Sequence, residues 1–414
     1  MELFDVVIIG AGPSGSVSAS LLKKQGLSVC VLEKQHFPRF VIGESLLPYC
    51  MEILKEADLV DAVSNEPSFQ LKNGAAFTWG NRYTYFDFTD KFTAGAGTTF
   101  QVRRDKFDQI LIDETIKKRV DVRFGDELIN FNNEGEFALL DVKKENGEQY
   151  QLQAKFVLDA SGYGRVLPRL LDLELPSHLP ARTAKFTHID DNINDPQFDR
   201  NKILITTHPV HRDVWFWLIP FADNRCSIGV VGLPDILEGD CETILKQFVF
   251  ECPMLKRILS NANWDNDVPY REILGYSANV KTLYGKQFAL LGNAAEFLDP
   301  VFSSGVTIAL HSAHLACNVI DRQLKGEAVD WQQEFADPLM TGVNAFRTYV
   351  LGWYDYSFQD VIYARNPQPE IRQMISSILA GYAWDTENPL VSKSSQRLAA
   401  LAGLCGTATQ DEQE

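Results

Sequence analysis

A glycine-rich string near the amino terminus has the composition of a phosphate-binding turn. Residues 10–15 read GAGPSG, which fits the pattern G-x-G-x-x-G. In such a turn Gly10 allows the tight bend, Gly12 lets a pyrophosphate approach the backbone, and Gly15 allows a helix to pack closely on a strand. Glu33 follows Gly15 by eighteen residues, where a carboxylate can bind a ribose hydroxyl. The string therefore predicts a dinucleotide site.

The segments on either side of this string predict a β-α-β unit. Residues 4–9 form an apolar, β-branched run, which is typical of a strand buried on both faces. The pattern predicts a helix over 16–24 that is ended by Gly26, and then a second strand that ends at Glu33. A pyrophosphate in the turn would meet the positive end of the helix dipole.

Further along the chain, the strand and helix patterns indicate a second sheet inserted into the first unit. A polar and aromatic stretch at 67–101 alternates as strands do, and residues 103–118 have the spacing of a helix. More strands are expected over 121–158, 182–191, 202–208, 213–219, 226–232 and within 287–295. A helix is expected from about residue 304, and the end of the chain should be mostly helical with a disordered polar tail, QDEQE.

Composition excludes several classes of function. The 414 residues carry a formal net charge of −16, which disfavours nucleic acid and anionic membranes as partners. No apolar run is long enough to span a bilayer, and the seven cysteines contain no C-x-x-C pair. We therefore expect a cytoplasmic protein with no membrane span. His311 and His314 lie one helical turn apart, but no acid or cysteine completes a site, so no metal is predicted.

Two later strings resemble flavin-contact motifs. VLDASGYG at 157–164 and GNAAEFLDP at 292–300 are similar to segments of the glutathione-reductase-like class of flavoproteins, which includes aromatic hydroxylases. Arg104, in QVRRDKFDQIL, matches an arginine that this class uses near its cofactor. Asn293 stands where the class often has aspartate. The resemblance implies FAD, and a second G-x-G-x-x-G for NAD(P)H is absent from the sequence.

Three more strings resemble flavin-dependent halogenases. FPRFVIGESLLP at 37–48 is similar to their P-R-x-x-x-G-E-S segment, WFWLIP at 215–220 matches W-x-W-x-I-P, and FLDPVFSSG at 297–305 matches F-x-x-P-x-x-S-x-G. The matches run from residue 3 to about residue 320. The branch that they resemble acts on phenols, pyrroles or carrier-tethered acyl groups.

The resemblance implies an α/β (α+β) fold: a glutathione-reductase-like Rossmann domain for FAD, an inserted β-sheet substrate domain and a C-terminal helical region. The expected boundaries are 1–70, 101–170 and 275–330 for the FAD-binding domain, 71–100 and 171–274 for the substrate domain, and 331–414 for the helical cap. The implied cofactor residues lie in the glycine turn, the two strings after it and the later motifs. They are Gly10, Gly12, Pro13, Ser14, Gly15, Glu33, Lys34, Arg39, Gly43, Glu44, Ser45, Arg104, Asp159, Gly162, Gly292, Asp299, Pro300, Gly305 and Val306.

The resemblance also implies the reaction. Reduced FAD and O2 oxidise chloride or bromide to hypohalous acid, which a lysine then activates towards an electron-rich ring. Lys72, in FQLKNGAAFTWG, is the matching residue, and Phe69, Leu71, Phe77 and Trp79 should desolvate its amine and lower its pKa. Amides near Ser304 and Gly305 would bind the halide, and Trp215 and Trp217 would separate the flavin from the substrate. A separate flavin reductase would supply the reduced FAD, and the substrate would be a small aromatic molecule or an acyl group on a carrier protein.

Three other functions compete with halogenation. Geranylgeranyl-reductase-like enzymes, which reduce C=C bonds, share the fold and part of the first motif, although they usually show Y-x-W-x-F-P where this chain has WFWLIP. Aromatic monooxygenases typically carry an Asp-Gly pair that VLDASGYG lacks. A flavin-binding protein without activity is the third alternative, against which the presence of Lys72 argues.

Overall fold

The computed structural model describes residues 1–177, 179–275, 279–365 and 368–410. Its strands are β1 (Glu2–Ile9), β2 (Val29–Glu33), β3 (Gln70–Lys72), β4 (Gly74–Trp79), β5 (Arg82–Asp87), β6 (Thr99–Gln101), β7 (Asp121–Phe124), β8 (Asp126–Asn132), β9 (Ala138–Lys144), β10 (Gln149–Asp159), β11 (Glu174–Leu175), β12 (Thr183–Asp190), β13 (Lys202–Thr207), β14 (Trp215–Pro220), β15 (Arg225–Gly232), β16 (Arg271–Leu274), β17 (Asn279–Val280), β18 (Tyr284–Gly285) and β19 (Phe288–Leu290).

The helices are α1 (Pro13–Lys24), α2 (Tyr49–Glu56), α3 (Val60–Ser64), α4 (Arg104–Lys117), α5 (Val166–Leu170), α6 (Cys241–Glu251), α7 (Pro253–Ile258), α8 (Ser304–Leu324), α9 (Asp337–Tyr354), α10 (Ser357–Ile362), α11 (Pro369–Leu379), α12 (Pro389–Ser392) and α13 (Ser394–Gln410). Three 3₁₀ turns lie at Gly162–Gly164, Gly292–Ala294 and Pro300–Phe302, and a π-helical turn lies at Gln332–Ala336.

The first sheet has the order β18-β19-β10-β1-β2-β7, and β9 and β8 extend it from β10. β10, β1, β2 and β7 run parallel, and helices connect β1 to β2 and β2 to β7. β1 and β2 are apolar and largely buried, and α1 packs against both of them. The fold is therefore α/β with a Rossmann-type unit at its amino terminus, as the sequence predicts.

The second sheet has seven strands in the order β16-β12-β15-β14-β13-β4-β5. Most neighbours are antiparallel, while β13 and β4 pair in parallel. The face that carries Trp215, Trp217 and Ile219 joins the main core, and the face that carries Phe216 and Leu218 packs on the apolar side of α6 and α7. The chain enters this sheet and leaves it repeatedly, so neither sheet is built from one continuous segment.

A third, small sheet connects the two larger ones. β3 pairs antiparallel with β6, and Ser45 bridges to Gln101 on the other side of β6. Leu46 N donates to Phe100 O and Val102 N donates to Glu44 O, which extends this pairing over residues 44–46. The G-E-S segment is thus fixed to β6 as a short third strand.

Three local expectations need correction. α1 begins at Pro13 rather than at residue 16, because proline is suited to the first position of a helix, and so the last part of GAGPSG forms the first helical turn. The strand expected within 287–295 is short, and a 3₁₀ turn follows it. The expected disordered tail begins inside α13, which reaches Gln410, and its remaining residues, 411–414, lie outside the described residues.

Candidate active site

A cavity of about 510 Å³ lies where the parallel strands β1, β2 and β10 end and the second sheet faces them. Such a position, beyond the carboxyl ends of parallel strands, is where α/β folds bind their ligands. Its lining divides into a polar part from the first sheet and an apolar part from the second. The apolar part consists of Ala184, Phe186, Ile203, Ile205, Trp215, Trp217, Ile219 and Ile273.

The glycine turn forms part of the wall of this cavity. Gly10 has φ +97°, and a Cβ atom there would lie 2.7 Å from Ala160 O. A Cβ atom on Gly15 would lie 1.9 Å from Gly10 O, so any other residue would push the helix away from the turn. No side chain caps the start of α1, and Gly12, Pro13 and Ser14 line the cavity. The first-turn amides are therefore available to bind an anion.

Glu33 holds the glycine turn in place. Its Oε2 atom accepts a hydrogen bond of 2.8 Å from Ala11 N, and its Oε1 atom accepts one of 2.9 Å from Gln35 N. The side chain is buried and lines the cavity. Lys34 also lines the cavity and pairs with Glu127 across 2.6 Å. The predicted acid thus has a second role, since it fixes the backbone that would face a pyrophosphate.

Two arginines on the cavity wall share one buried carboxylate. Arg104 donates from Nε to Asp108 Oδ1 at 2.8 Å, and Arg39 donates from Nη1 to Asp108 Oδ2 at 3.1 Å. Arg104 also donates to the carbonyl oxygens of Ile42 and Gly43. The pair of guanidiniums therefore keeps one net positive charge beside the glycine turn. Asp108 was not predicted, although its position one helical turn after Arg104 is a signal for such a pair.

Several predicted cofactor residues line the cavity, and others support it from outside. Asp159 accepts from the amides of Ser161 and Leu167 and so holds the turn at 160–164, and burial raises the pKa of its carboxyl. Asp299 accepts from Val301 N, and it raises the pKa of the Tyr354 hydroxyl together with burial, the larger cause. Gly292 contacts α8 closely, since a Cβ atom there would lie 2.7 Å from Ala309 Cβ. Asn293, which was not among the predicted cofactor residues, lines the cavity next to Gly292.

The turn before α8 brings an unpredicted serine to the cavity. Ser303 has φ 57° and ψ 27°, the left-handed region that residues other than glycine rarely adopt, and it lines the cavity with Pro300, Gly305 and Val306. Ser304, the predicted residue, is buried and does not line the cavity. Sequence alone could not tell the two adjacent serines apart, because only the backbone conformation decides which one faces the cavity.

Trp215 and Trp217 stand side by side on β14, with their rings 6.0 Å apart. Trp215 Nε1 donates to the Tyr354 hydroxyl at 2.9 Å, and Trp217 Nε1 donates to Ser227 Oγ at 3.0 Å. Gly229 makes space for the second indole, because a Cβ atom there would lie 2.3 Å from Trp217 Cζ2. The two rings therefore form a fixed apolar wall, in which hydrogen bonds hold both N–H groups.

Lys72 ends β3 and is 1% exposed. Its Nζ atom donates to Ser45 Oγ at 2.8 Å and to Leu46 O at 2.7 Å. Burial lowers the pKa of this amine to about 7. The prediction of Leu71 as a neighbour of the amine is wrong, since Leu71 points outward and is exposed, whereas the ring of Phe88, which was not predicted, lies 5.4 Å from Nζ.

The G-E-S segment separates Lys72 from the cavity. Gly43, Glu44 and Ser45 line the cavity, whereas Lys72 does not. Gly43 has φ +109°, and a Cβ atom there would lie 3.0 Å from Arg104 Nη1. Glu44 is buried, and its Oε1 atom lies 2.6 Å from Nε2 of His188 on β12. Ser45 is therefore in contact with both the cavity and the buried amine.

Three of the described histidines, His208, His311 and His314, make hydrogen bonds or ion pairs within the protein. His311 Nδ1 and the Tyr49 hydroxyl lie 3.0 Å apart, and His314 pairs with Glu56 across 2.7 Å. His208 is buried and pairs with Glu251 across 3.0 Å. Within the described part of the chain, no group of three or more His, Cys, Asp or Glu side chains could hold a metal ion. No helix among the described residues has the length and apolarity needed to cross a bilayer.

Several known proteins are similar to this chain over most of its length. The family model described as "FAD binding domain" matches residues 4–335. A 1H-pyrrole-2-carbonyl-[peptidyl-carrier protein] chlorinase of Pseudomonas fluorescens is 29% identical over 85% of this chain and 82% of its own length. A flavoprotein/dehydrogenase from Cytophaga hutchinsonii is 40% identical, with a TM-score of 0.94 over 99% of this chain and 100% of its own. The myxobacterial chondrochloren halogenase, described as a variant of FAD-dependent halogenases, is 28% identical, with a TM-score of 0.74 over 98% and 97% of the two chains.

Proposed function

We propose that this chain, which belongs to the FAD binding domain family, is a flavin-dependent halogenase. In this proposal it forms hypohalous acid at the cavity and transfers the halogen by way of Lys72. The observation that carries this proposal is the buried Lys72 amine, whose pKa is about 7 and which only Ser45 and its neighbours separate from the cavity. The similarity to two halogenases supports the assignment.

FAD is the cofactor, and the residues of the cavity fit it. The uncapped start of α1 suits a pyrophosphate, and Arg39 lies beside it, since its Nη2 atom would be at an ordinary contact distance of 3.6 Å from a Cβ atom on Gly12. We expect Arg39 to supply the positive charge and Glu33 to bind a ribose hydroxyl, and both residues line the cavity. When bound in its reduced form, FAD with O2 supplies the oxidation of halide to hypohalous acid. Ser303, Gly305 and the start of α8 would face the halide, because a helix amino terminus attracts an anion.

The hydrogen bonds of Lys72 match a neutral amine. A neutral amine has two N–H donors and one lone pair, and the structure offers two acceptors, Ser45 Oγ and Leu46 O. The lone pair is then free to attack a halogen. The N–X bond forms as the O–X bond of hypohalous acid breaks, and the leaving hydroxide takes an amine proton to become water. The haloamine passes its halogen to the ring, whose displaced proton returns the lysine to its starting state.

We also propose the substrate class, the source of the reduced FAD and the cellular compartment. We propose that the apolar wall formed by Trp215, Trp217 and their neighbours encloses the flavin and separates it from the substrate, which is an aromatic group, either free or as an acyl unit on a carrier protein. The first sheet carries one glycine-rich dinucleotide turn, and so we propose that a separate flavin reductase supplies the reduced FAD. Seven cysteines without a disulfide support the cytoplasm as the compartment.

A halide-dependent assay tests the function. The FAD-loaded protein is reduced without oxygen and mixed with O2 in the presence and absence of bromide, and active halogen is trapped with an added thiol. Halogenation is established if active halogen is trapped only in the presence of bromide and if the native protein holds it longer than Lys72→Met does. If bromide leaves the flavin oxidation unchanged and yields only hydrogen peroxide, the proposal fails. Rapid bleaching of the oxidised flavin by NADPH alone would indicate a reductase or monooxygenase instead.

A further inference from the structure

Four buried polar side chains share one face of the small sheet formed by β3, β6 and residues 44–46. Lys72 lies directly opposite Thr99, and Ser45 lies directly opposite Gln101. Residues directly opposite each other in an antiparallel pair point to the same side, as do residues two apart on one strand. Lys72, Thr99, Gln101 and Ser45 therefore project from the same face, which we call the Lys72 face.

Two atoms of this face lack a hydrogen-bond partner among the described residues. They are Thr99 Oγ1 and Gln101 Oε1, on side chains that are 1% and 0% exposed. The amide of Gln101 is held by its other end, since Nε2 donates to Arg200 O at 3.0 Å and leaves Oε1 directed elsewhere. A buried polar atom without a partner costs free energy, so a native protein that keeps two of them beside one amine calls for an explanation.

The hydrogen-bonding capacity of the face defines a ligand. The neutral Lys72 amine presents a lone pair after its two donations, and Thr99 Oγ1 and Gln101 Oε1 can each accept one hydrogen bond. A matching ligand is small and uncharged, with one O–H donor and one electrophilic atom. Hypohalous acid has this composition, because its O–H donates and its halogen accepts electron density.

We propose that Thr99 and Gln101 are positioning residues that bind the hydroxyl of hypohalous acid while its halogen faces the Lys72 nitrogen. This inference rests on the proposed function and deepens it. The acceptor that holds the O–H also fixes the O–X bond towards the amine. Ser45 lies in both the cavity wall and the Lys72 face, so the acid would arrive past its side chain.

The test adds hypohalous acid directly, so that it does not depend on flavin chemistry. The full chain, loaded with oxidised FAD, receives one equivalent of hypobromous acid, passes through a desalting column and is assayed at intervals for halogen that oxidises thionitrobenzoate. The variants are Thr99→Val, Gln101→Met and Lys72→Met. The matched control is Thr78→Val, because Thr78 Oγ1 is also buried without a partner but lies on β4 in the second sheet.

We expect Thr99→Val and Gln101→Met each to lower the amount of active halogen captured from the hypobromous acid about fivefold to tenfold, the effect of one lost hydrogen bond to the hydroxyl before it leaves as water. Thr78→Val should capture as much as the native protein does. Melting temperatures give a second readout. Thr99→Val should melt no lower than the native protein, because the change removes a hydroxyl that has no protein partner.

Two results would overturn the inference. If Thr99→Val and Gln101→Met capture as much active halogen as the native protein while Lys72→Met captures none, Lys72 acts without the two proposed partners. If the native protein itself retains no halogen, the Lys72 face does not bind hypohalous acid. In either case the bromide-dependent assay with reduced FAD and O2 decides separately whether the protein is a halogenase.

Discussion

The Nζ atom of Lys72 lies 2.8 Å from the Oγ atom of Ser45, and this pair connects a buried amine to a cavity that the amine does not itself line. Because Ser45 Oγ accepts from Lys72, its own proton is free to be donated elsewhere. Ser45 belongs to the short strand at 44–46, which pairs with β6. The position of the amine therefore depends on backbone pairing rather than on a flexible loop.

The buried amine should leave a signature in the pH dependence of stability. The pKa of Lys72 is lowered by burial from 10.5 to about 7, so between these values the unfolded chain binds a proton that the native chain does not. The free energy of unfolding of the native protein should therefore rise with pH relative to that of Lys72→Met, by about 1.4 kcal/mol per pH unit. The difference should be constant below pH 7.

Urea unfolding of both proteins between pH 6.5 and 9.5 measures this difference. Thr99→Val is the control, since it changes no charge and its difference from the native protein should not depend on pH. A flat difference for Lys72→Met would mean that the amine is protonated in the folded protein, and the nucleophilic role would be lost.

Removing the shared carboxylate should couple stability to the cofactor. Asp108→Asn leaves Arg39 and Arg104 without their buried partner, which should cost about 3–5 kcal/mol in the FAD-free protein. Bound phosphate would pair with Arg39 in part, so FAD should raise the melting temperature of the variant more than that of the native protein. Thermal unfolding of both proteins measures the difference between their melting temperatures, once with FAD and once without it.

Asp105→Asn is the matched control on the same helix, because Asp105 pairs with the partly exposed Arg103. It should cost less than about 1 kcal/mol, as surface pairs do, whether FAD is present or not. If the melting temperature of Asp108→Asn lies equally far below that of the native protein with and without FAD, the two arginines do not respond to the cofactor.

Ser303 combines an unfavourable backbone conformation with a hydroxyl at the cavity. Glycine adopts the left-handed region without strain, so Ser303→Gly should be more stable than Ser303→Ala by about 1 kcal/mol. Both variants lose the hydroxyl, and both should weaken bromide binding to the FAD-loaded protein to the same extent. Chemical unfolding and bromide titration of the flavin fluorescence measure the two effects. Unequal bromide affinities would assign the contribution of this turn to its backbone instead.

The space that Gly229 gives to Trp217 predicts a coupled pair. Gly229→Ala should cost about 1–3 kcal/mol, because its Cβ atom would overlap the indole ring. Combining it with Trp217→Phe should cost about 1 kcal/mol less than the sum of the single changes. Gly403→Ala, on α13 and with no atom within 4 Å of an added Cβ, should combine additively with Trp217→Phe. Additive behaviour of the first pair would show that the indole shifts freely.

The sequence reveals the parts of this site that are formed by a short motif with a known backbone conformation. It does not reveal the parts that depend on contacts between residues distant in sequence. The GAGPSG turn and Glu33 could be predicted because glycine spacing and a distal acid define one geometry. Thr99 and Gln101 could not, because their relation to Lys72 comes from strand register across about thirty residues of chain. Leu71, predicted beside the amine, points the other way because side chains alternate along a strand.

The interleaved strands also determine when during synthesis the protein can fold. β1, which is made first, pairs with β10, and β10 pairs with β19, so the central sheet is incomplete until residue 290 has been added. β4 likewise waits for β13 before its parallel edge is covered. Contacts so distant in sequence slow folding, because the entropy of closing long loops is lost before the stabilising contacts form. We therefore expect the nascent chain to gain native structure late, in one step that involves both sheets, and to rely on chaperones until then.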